Sequence, residues 1–314
     1  MKKCLITGAG GFAASHLIDL LLKSQYEVVG SIRIRDDLSN IKHLNIPLEY
    51  CDILDKFGVE SIIKKVKPDI IFHLAAQSFV GMSWDFPELT LQTNIIGTLN
   101  LLEAVRKYSP ECIFHLSSSS QIYGKVKNFP MTLDTPFNPQ SPYDVSKLAQ
   151  EMLVRQYSDS FGLDVRITRA FNITGPKRYP QFAETNFAQQ IAKLEKYGGD
   201  PVIKVGNLES SRDYIDVRDA VRGYLLSVEV GRPKGIYLLC SGIATKIKDM
   251  LDILISFSTL NNVKIEEDKN LIRPVDTPYM VGDNSKSFDE LGWKVQIHLK
   301  ETLKDLLDYY RSIV

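Results

Sequence analysis

The sequence predicts an α/β protein, a doubly wound parallel sheet followed by a smaller C-terminal α/β lobe. Three observations point there. The first half alternates short, wholly apolar runs with amphipathic stretches, the pattern of a parallel sheet covered by helices on both faces. A glycine-rich turn, Gly8-Ala9-Gly10-Gly11, separates the first apolar run from the first amphipathic one. From about Asn172 glycine and proline become denser (Gly175-Pro176, Gly198-Gly199, Gly206) and the alternation turns irregular. The first domain is therefore set at residues 1–171 and the second lobe mainly at 172–314, with part of 213–240 returning to the first domain.

Taken in order, residues 4–7 read as a strand. Phe12–Lys23 reads as a helix with Phe12, Leu17, Leu20 and Leu21 on one face. Residues 26–31 form a second strand and a third ends before Asp52. Residues 57–67 look helical and 69–73 look like a buried strand. A helix over 94–107 leads to a buried strand at 112–116. The serine run 117–120 follows it at the sheet's C-terminal edge, where ligands bind; it is read as functional, with a flexible turn as the other reading. A long helix spans 143–161, then a strand 164–169. Right-handed crossovers wind such strands into a Rossmann sheet. Helices are expected in the second lobe near 186–197, 217–230, 246–256 and 300–310.

Composition narrows the function classes. The 314 residues are 44% hydrophobic and 24% charged, as in ordinary soluble enzymes. Lys plus Arg equals Asp plus Glu at 38 each, so no global field directs the chain to nucleic acid or an anionic membrane. No run approaches the ~18 apolar residues that span a bilayer, and the apolar run at the start is too short for a signal peptide. Cys4, Cys51, Cys112 and Cys240 lie far apart without metal-ligand spacing. A cytoplasmic protein without a metal is expected.

The glycine turn reads Gly-x-x-Gly-x-x-Ala between strand and helix. Gly8 makes the tight turn, Gly11 admits a pyrophosphate, and Ala14 lets the helix pack on the strand. Phe12 opens the helix, whose N–H groups and positive end meet the phosphates. This is a dinucleotide site. After the second strand, Ser31-Ile32-Arg33-Ile34-Arg35 holds no acid before Asp36. Arg33 and Arg35 suit a 2′-phosphate, so NADP is favoured and NAD is the alternative; either arginine could instead be a solvated loop charge. Asp52-Ile53 and Leu74-Ala75-Ala76, after the third and fourth strands, complete the expected cofactor floor. His73 is read as a structural histidine.

Tyr143 and Lys147 stand four apart on one helix face. An ammonium lowers the pKa of a nearby phenol from about 10, and the pair can exchange protons with a carbonyl while a nicotinamide exchanges hydride. A hydroxyl at Ser119 would bond the reacting oxygen.

These residues together resemble the extended short-chain dehydrogenase/reductases. Further stretches resemble the branch acting on GDP-mannose derivatives, the GDP-mannose 4,6-dehydratases and GDP-4-keto-6-deoxy-D-mannose reductases. They are Arg169-Ala-Phe-Asn172-Ile-Thr-Gly175-Pro176, the run from Val205 to Asp219, Cys240-Ser241-Gly242 and Arg273-Pro274-Val275-Asp276. The resemblance implies that Asn172, Asn207, Arg212 and Arg273 hold the pyrophosphate and sugar of a GDP-sugar, and that Asp276 bonds its ribose. Gln121 and Asn186 are placed with them as substrate contacts.

Gln121 departs from the dehydratase pattern. There the motif ends in a Glu that takes the C5 proton; here it is Ser119-Ser120-Gln121, and an amide cannot take up a proton at usable pKa. GDP-fucose synthases resemble the chain but carry a Cys at that place. The expected activity is NADPH-dependent reduction of a GDP-4-keto-6-deoxy sugar. The alternatives are a 4,6-dehydratase with recycled NADP, a nucleotide-sugar 4-epimerase, and a catalytically silent sugar-nucleotide-binding protein. A homodimer is expected through the helix bearing Leu148, Met152 and Leu153, whose other reading is an ordinary core face.

Overall fold

The computed structural model describes residues 1–271 and 277–314. The first part of the chain runs β1 (Lys3–Thr7), α1 (Phe12–Lys23), β2 (Glu27–Ile32), β3 (Leu48–Tyr50), α2 (Lys56–Val66) and β4 (Ile70–His73). Two short helices, α3 (Val80–Asp85) and α4 (Pro87–Leu91), and a π turn (Gln92–Ile96) precede α5 (Gly97–Tyr108). Then come β5 (Ile113–Ser119), a 3₁₀ turn (Ser120–Tyr123), α6 (Pro142–Phe161) and β6 (Val165–Ala170). The remainder is β7 (Asn172–Thr174), α7 (Ala183–Tyr197), β8 (Val202–Val205), β9 (Ser211–Asp216), α8 (Val217–Glu229), β10 (Gly235–Leu239), β11 (Ala244–Lys246), α9 (Ile247–Ser256), β12 (Lys264–Glu267), α10 (Ser285–Leu291) and α11 (Leu299–Ile313).

Seven strands form one parallel sheet in the order β10-β6-β5-β4-β1-β2-β3. Its inner strands β1, β4, β5 and β6 are buried on both faces, while the edge strand β3 is half-exposed. One core lies between the sheet and α1 and α8, around Leu17, Ile18, Val221 and Tyr224. The opposite core lies under α2, α5 and α6, around Ile63, Leu102 and Val154. A third gathers α7, α9 and α11 around Ile203 and Val205 of β8. Strand order changes direction between β1 and β4, so their C-terminal ends flank the crevice where ligands enter such sheets.

Tertiary contacts redraw some expected elements. The helix expected at 94–107 starts inside the π turn, which buries Asn94. Asn94 accepts from Gln77 N (2.8 Å) and donates to Gln77 O and to Ser146 Oγ (2.8 Å). A distant polar partner, not local periodicity, distorts the helix there. The serine run is not a turn after the strand. β5 continues through Ser119 because Ser117, Ser118 and Ser119 pair with Thr168, Arg169 and Ala170 of β6.

Candidate active site

The glycine turn is shaped by what lies against it. Gly8 has φ +68°, and a Cβ there would stand 2.9 Å from Ala75 Cα. A Cβ on Gly10 would stand 2.7 Å from the Asp37 carbonyl oxygen. Gly11 is the N-cap of α1, with no side-chain cap and no acid in the first turn. The first N–H groups of α1 and its positive end are therefore available to an anion.

The adjoining floor is held by a buried network. Thr98 Oγ1 donates to Asn94 O, so the Thr98–His73 Nε2 contact (2.9 Å) requires the proton on Nε2. His73 Nδ1 then accepts from Thr7 Oγ1 (2.8 Å), which in turn accepts from the amides of Leu74 and Ala75 (3.1 Å each). Burial drives the His73 pKa down to about 3, helped by Lys147. His73 thus stays neutral and serves as a strut.

The reacting cluster sits where β5 ends and α6 begins. A capping box starts α6: Ser141 Oγ accepts from Asp144 N, and Asp144 reaches back to Ser141 N. It places Tyr143 and Lys147 one turn apart, 8% and 6% exposed. Lys147 Nζ donates to Ser117 O (2.8 Å), and burial lowers its pKa to about 8. Burial pushes the Tyr143 phenol well above the usual tyrosine range; the hydrogen bond with Ser119 pulls it back, and the more distant Arg178 does so weakly. The expectation that Lys147 chiefly lowers the phenol is not what this geometry gives, because its ammonium is directed to the Ser117 carbonyl. Ser119 Oγ also accepts from Gln121 N (3.2 Å). The Gln121 side-chain amide is half-buried and has no hydrogen-bond partner among the described residues.

One cleft of about 520 Å³ joins the two regions. Gly8, Gly11, Phe12, Ala14, Ser31, Arg33, Asp52, Ile53, Leu74, Ala75, Ala76, Ser119, Gln121, Tyr143, Lys147 and Asn172 all line it. Arg35 is exposed and does not. Arg33 is held by Asp36, with Nε to Oδ1 at 3.0 Å and Nη2 to Oδ1 at 2.9 Å. Asn186, Asn207 and Arg212 lie in the second lobe, outside the cleft lining. Asn186 Oδ1 accepts from Gln190, Asn207 Nδ2 donates to Ser210 Oγ, and Arg212 Nη1 donates to Ser211 O. Asp213 is engaged by Ser241, Gly242 and Gly282, and Asp216 by Arg218. Arg273 and Asp276 lie outside the described residues.

The cleft also holds groups that sequence reasoning passed over. Arg178 stacks on Phe182 at 3.7 Å, lies 5.6 Å from the Phe12 ring centre and pairs with Glu184 at 3.0 Å. Its signal was the Gly175-Pro176 turn directly after a strand, which delivers the next side chains to the sheet edge. Tyr224 arrives from α8 and meets Ser117 Oγ at 3.1 Å. No sequence signal joins two residues so far apart.

These residues fit a nicotinamide dinucleotide. The uncapped α1 N-terminus and the glycines at 8, 10 and 11 suit its pyrophosphate. Lys147 keeps two N–H donors beyond the one spent on Ser117, enough for a ribose diol.

Known proteins match along the whole chain. The family model described as GDP-mannose 4,6 dehydratase matches residues 5–306. GDP-6-deoxy-D-mannose reductase of Pseudomonas aeruginosa is 29% identical over 100% of this chain and 98% of its own length. GDP-mannose 4,6 dehydratase 1 of Arabidopsis thaliana is 30% identical, covering 98% of this chain and 89% of its own. The structure of RMD from Pseudomonas aeruginosa complexed with NADPH has a TM-score of 0.87 at 28% identity, covering 100% of both chains. UDP-glucose 4-epimerase of Thermotoga maritima with UDP-glucose has a TM-score of 0.89 at 29% identity, covering 99% of each. With its seven-stranded doubly wound sheet, the chain belongs to the GDP-mannose 4,6-dehydratase family and is an enzyme of the extended short-chain dehydrogenase/reductase type.

Proposed function

We propose that this enzyme reduces the 4-keto group of a GDP-4-keto-6-deoxy sugar with NADPH. The observation that carries this reading is Gln121, an amide beside Tyr143 where elimination would need a base. The carboxylates among the described cleft residues are Asp36, Asp37 and Asp52, which follow β2 and β3. β4 and β1 separate those strands from β5, so these carboxylates reach the cleft from the far side of the crevice. A carbonyl reduction needs only an acid and a polarising hydroxyl.

A nicotinamide bound in the cleft supplies the hydride. Tyr143 gives its proton to the ketone oxygen, and its raised pKa keeps that proton in place at neutral pH. Ser119 hydrogen-bonds the same oxygen. Lys147, fixed by Ser117 O, holds the cofactor ribose. The outer edge of the Arg33 guanidinium favours a 2′-phosphate; Asp36 beside it is the group that would favour NAD instead. The NADPH-bound Pseudomonas aeruginosa structure supports the first choice.

Asn172, Asn186, Asn207 and Arg212, with Arg273 and Asp276, are assigned to the GDP-sugar by resemblance. The division into a cofactor body (1–171) and a mainly sugar-nucleotide lobe (172–314) belongs to the same reading, with β10 in the first sheet. So do a second copy packed on α6 and a cytoplasmic setting, which the four free cysteines suit. The 4,6-dehydratase reading keeps the support of the family description and the Arabidopsis relative.

One assay separates them. With GDP-4-keto-6-deoxymannose, the enzyme is expected to consume NADPH stoichiometrically and to use NADH more slowly. Conversion of GDP-mannose to a 4-keto product without added reductant would overturn the reductase reading. Gln121→Glu is expected to gain some dehydration and lose reduction.

A further inference from the structure

Behind the cleft lies a buried ion pair to which the reaction just proposed assigns no part. Arg169 of β6 and Glu151 of α6 are 2% and 0% exposed. The guanidinium grips the carboxylate with Nε to Oε2 at 3.0 Å and Nη2 to Oε1 at 2.5 Å. Its Nη1 donates to Tyr123 Oη at 2.5 Å, and Cζ lies 5.3 Å and 5.0 Å from the ring centres of Tyr123 and Phe137. Glu151 Oε2 also accepts from Ser118 Oγ at 3.0 Å.

Taking two charges out of water costs several kcal/mol per ion, and such a pair seldom stabilises more than an apolar replacement would. What the planar fork does provide is orientation. Here the oriented object is short. Ser118 precedes Ser119 by one residue, and Tyr123 follows Gln121 by two. Between them, the Ser119 hydroxyl caps the 3₁₀ turn that carries Gln121. Beyond Tyr123, Gly124 has φ +56°, and a Cβ there would stand 1.8 Å from Asn138 O, so the exit of the turn is pinned as well.

We infer that Glu151 and Arg169 form a positioning clamp that holds the Ser119–Gln121 segment at both ends, through Ser118 and Tyr123. The clamp rests on the reading that Ser119 and Gln121 face the reacting sugar. It acts on the substrate side of the cleft and leaves the glycine turn untouched. Misplacing a reacting group by about 1 Å can cost roughly a hundredfold in rate, so a loosened clamp shows in kcat before it shows in cofactor binding.

The test uses Tyr123→Phe and Ser118→Ala, each alone and combined with Ser119→Ala. Tyr123→Phe keeps the ring over Arg169 and removes only the hydroxyl. Turnover of the keto sugar, NADPH affinity and Tm are measured for every variant. Tyr123→Phe is expected to lower kcat about tenfold with NADPH affinity unchanged within about twofold, and to cost less than about twofold once Ser119 is alanine, because contacting groups in one network are not additive. An equal loss in both backgrounds would overturn the clamp as a general structural effect. So would an unchanged kcat in Tyr123→Phe where Ser119→Ala is impaired. If Ser119→Ala itself turns over at the wild-type rate, the site reading fails and the clamp with it. Arg169→Met with Glu151→Leu keeps the core apolar, and is expected to fold yet to lose turnover like Tyr123→Phe.

Discussion

Arg33 shows how one side chain can carry a cofactor preference and how a neighbour limits it. Its side chain is 63% exposed, and Asp36 occupies its inner edge. The guanidinium presents its remaining donors outward, in a fork suited to a phosphate. Arg33→Ala is therefore expected to raise KM for NADPH about tenfold, the loss of one charge-assisted contact worth roughly 1.4 kcal/mol, while leaving KM for NADH nearly unchanged. Steady-state kinetics with both cofactors check this; equal increases would remove Arg33 from 2′-phosphate reading. Much at this scale was legible in the sequence. Gly8, Gly11, Tyr143 and Lys147 announce their chemistry by spacing along a single strand–turn–helix or helix turn. Tyr224 was not legible, because it reaches the cleft from a distant element, whereas the turn at Gly175-Pro176 was a signal for Arg178.

Among elements, β4 and β5 each carry a buried histidine, His73 and His115. Burial lowers both pKa values to about 3, with Lys147 adding to the effect on His73 and His73 on His115. Unfolded, they titrate near 6.5. Between these values the unfolded chain binds more protons than the folded one, so stability is complete above about pH 6.5 and falls as pH drops towards 3. Each histidine contributes a slope of up to about 1.4 kcal/mol per pH unit. Denaturant unfolding at pH 7 and pH 5 should show a lower midpoint at pH 5, and His115→Leu should flatten the difference. A profile that stays level over this window would refute neutral burial of both rings. Element identity was readable where a helix or strand satisfies itself: Phe12–Lys23 falls where its apolar face and glycine turn put it. The π turn and the extension of β5 through its serines were not, since Asn94 and the β6 pairing decide them.

At the scale of the whole molecule, α6 turns apolar side chains outward. Val145 and Met152, seven residues apart, are 45% and 38% exposed, and Ile96 and Phe86 nearby are 44% and 55% exposed. Leu148 and Leu153, expected on the same face, pack inward instead. A second copy is expected to bury the exposed set. Sedimentation should give a dimer, and Met152→Glu should shift it towards monomer; an unchanged wild-type monomer would exclude the interface. The sequence alone determined the alternating α/β architecture, the dinucleotide turn, the Tyr143–Lys147 pair and the amide at Gln121, because each is a local pattern whose physics needs only neighbours along the chain. Only the tertiary structure decided that β10 pairs with β6 at the edge of the first sheet while α8 packs on its face, that Lys147 points to Ser117, and that Glu151 grips Arg169, although the return of part of 213–240 was expected from the sequence. Those are contacts between residues far apart in the chain, set by how cores pack and how buried polar groups find partners.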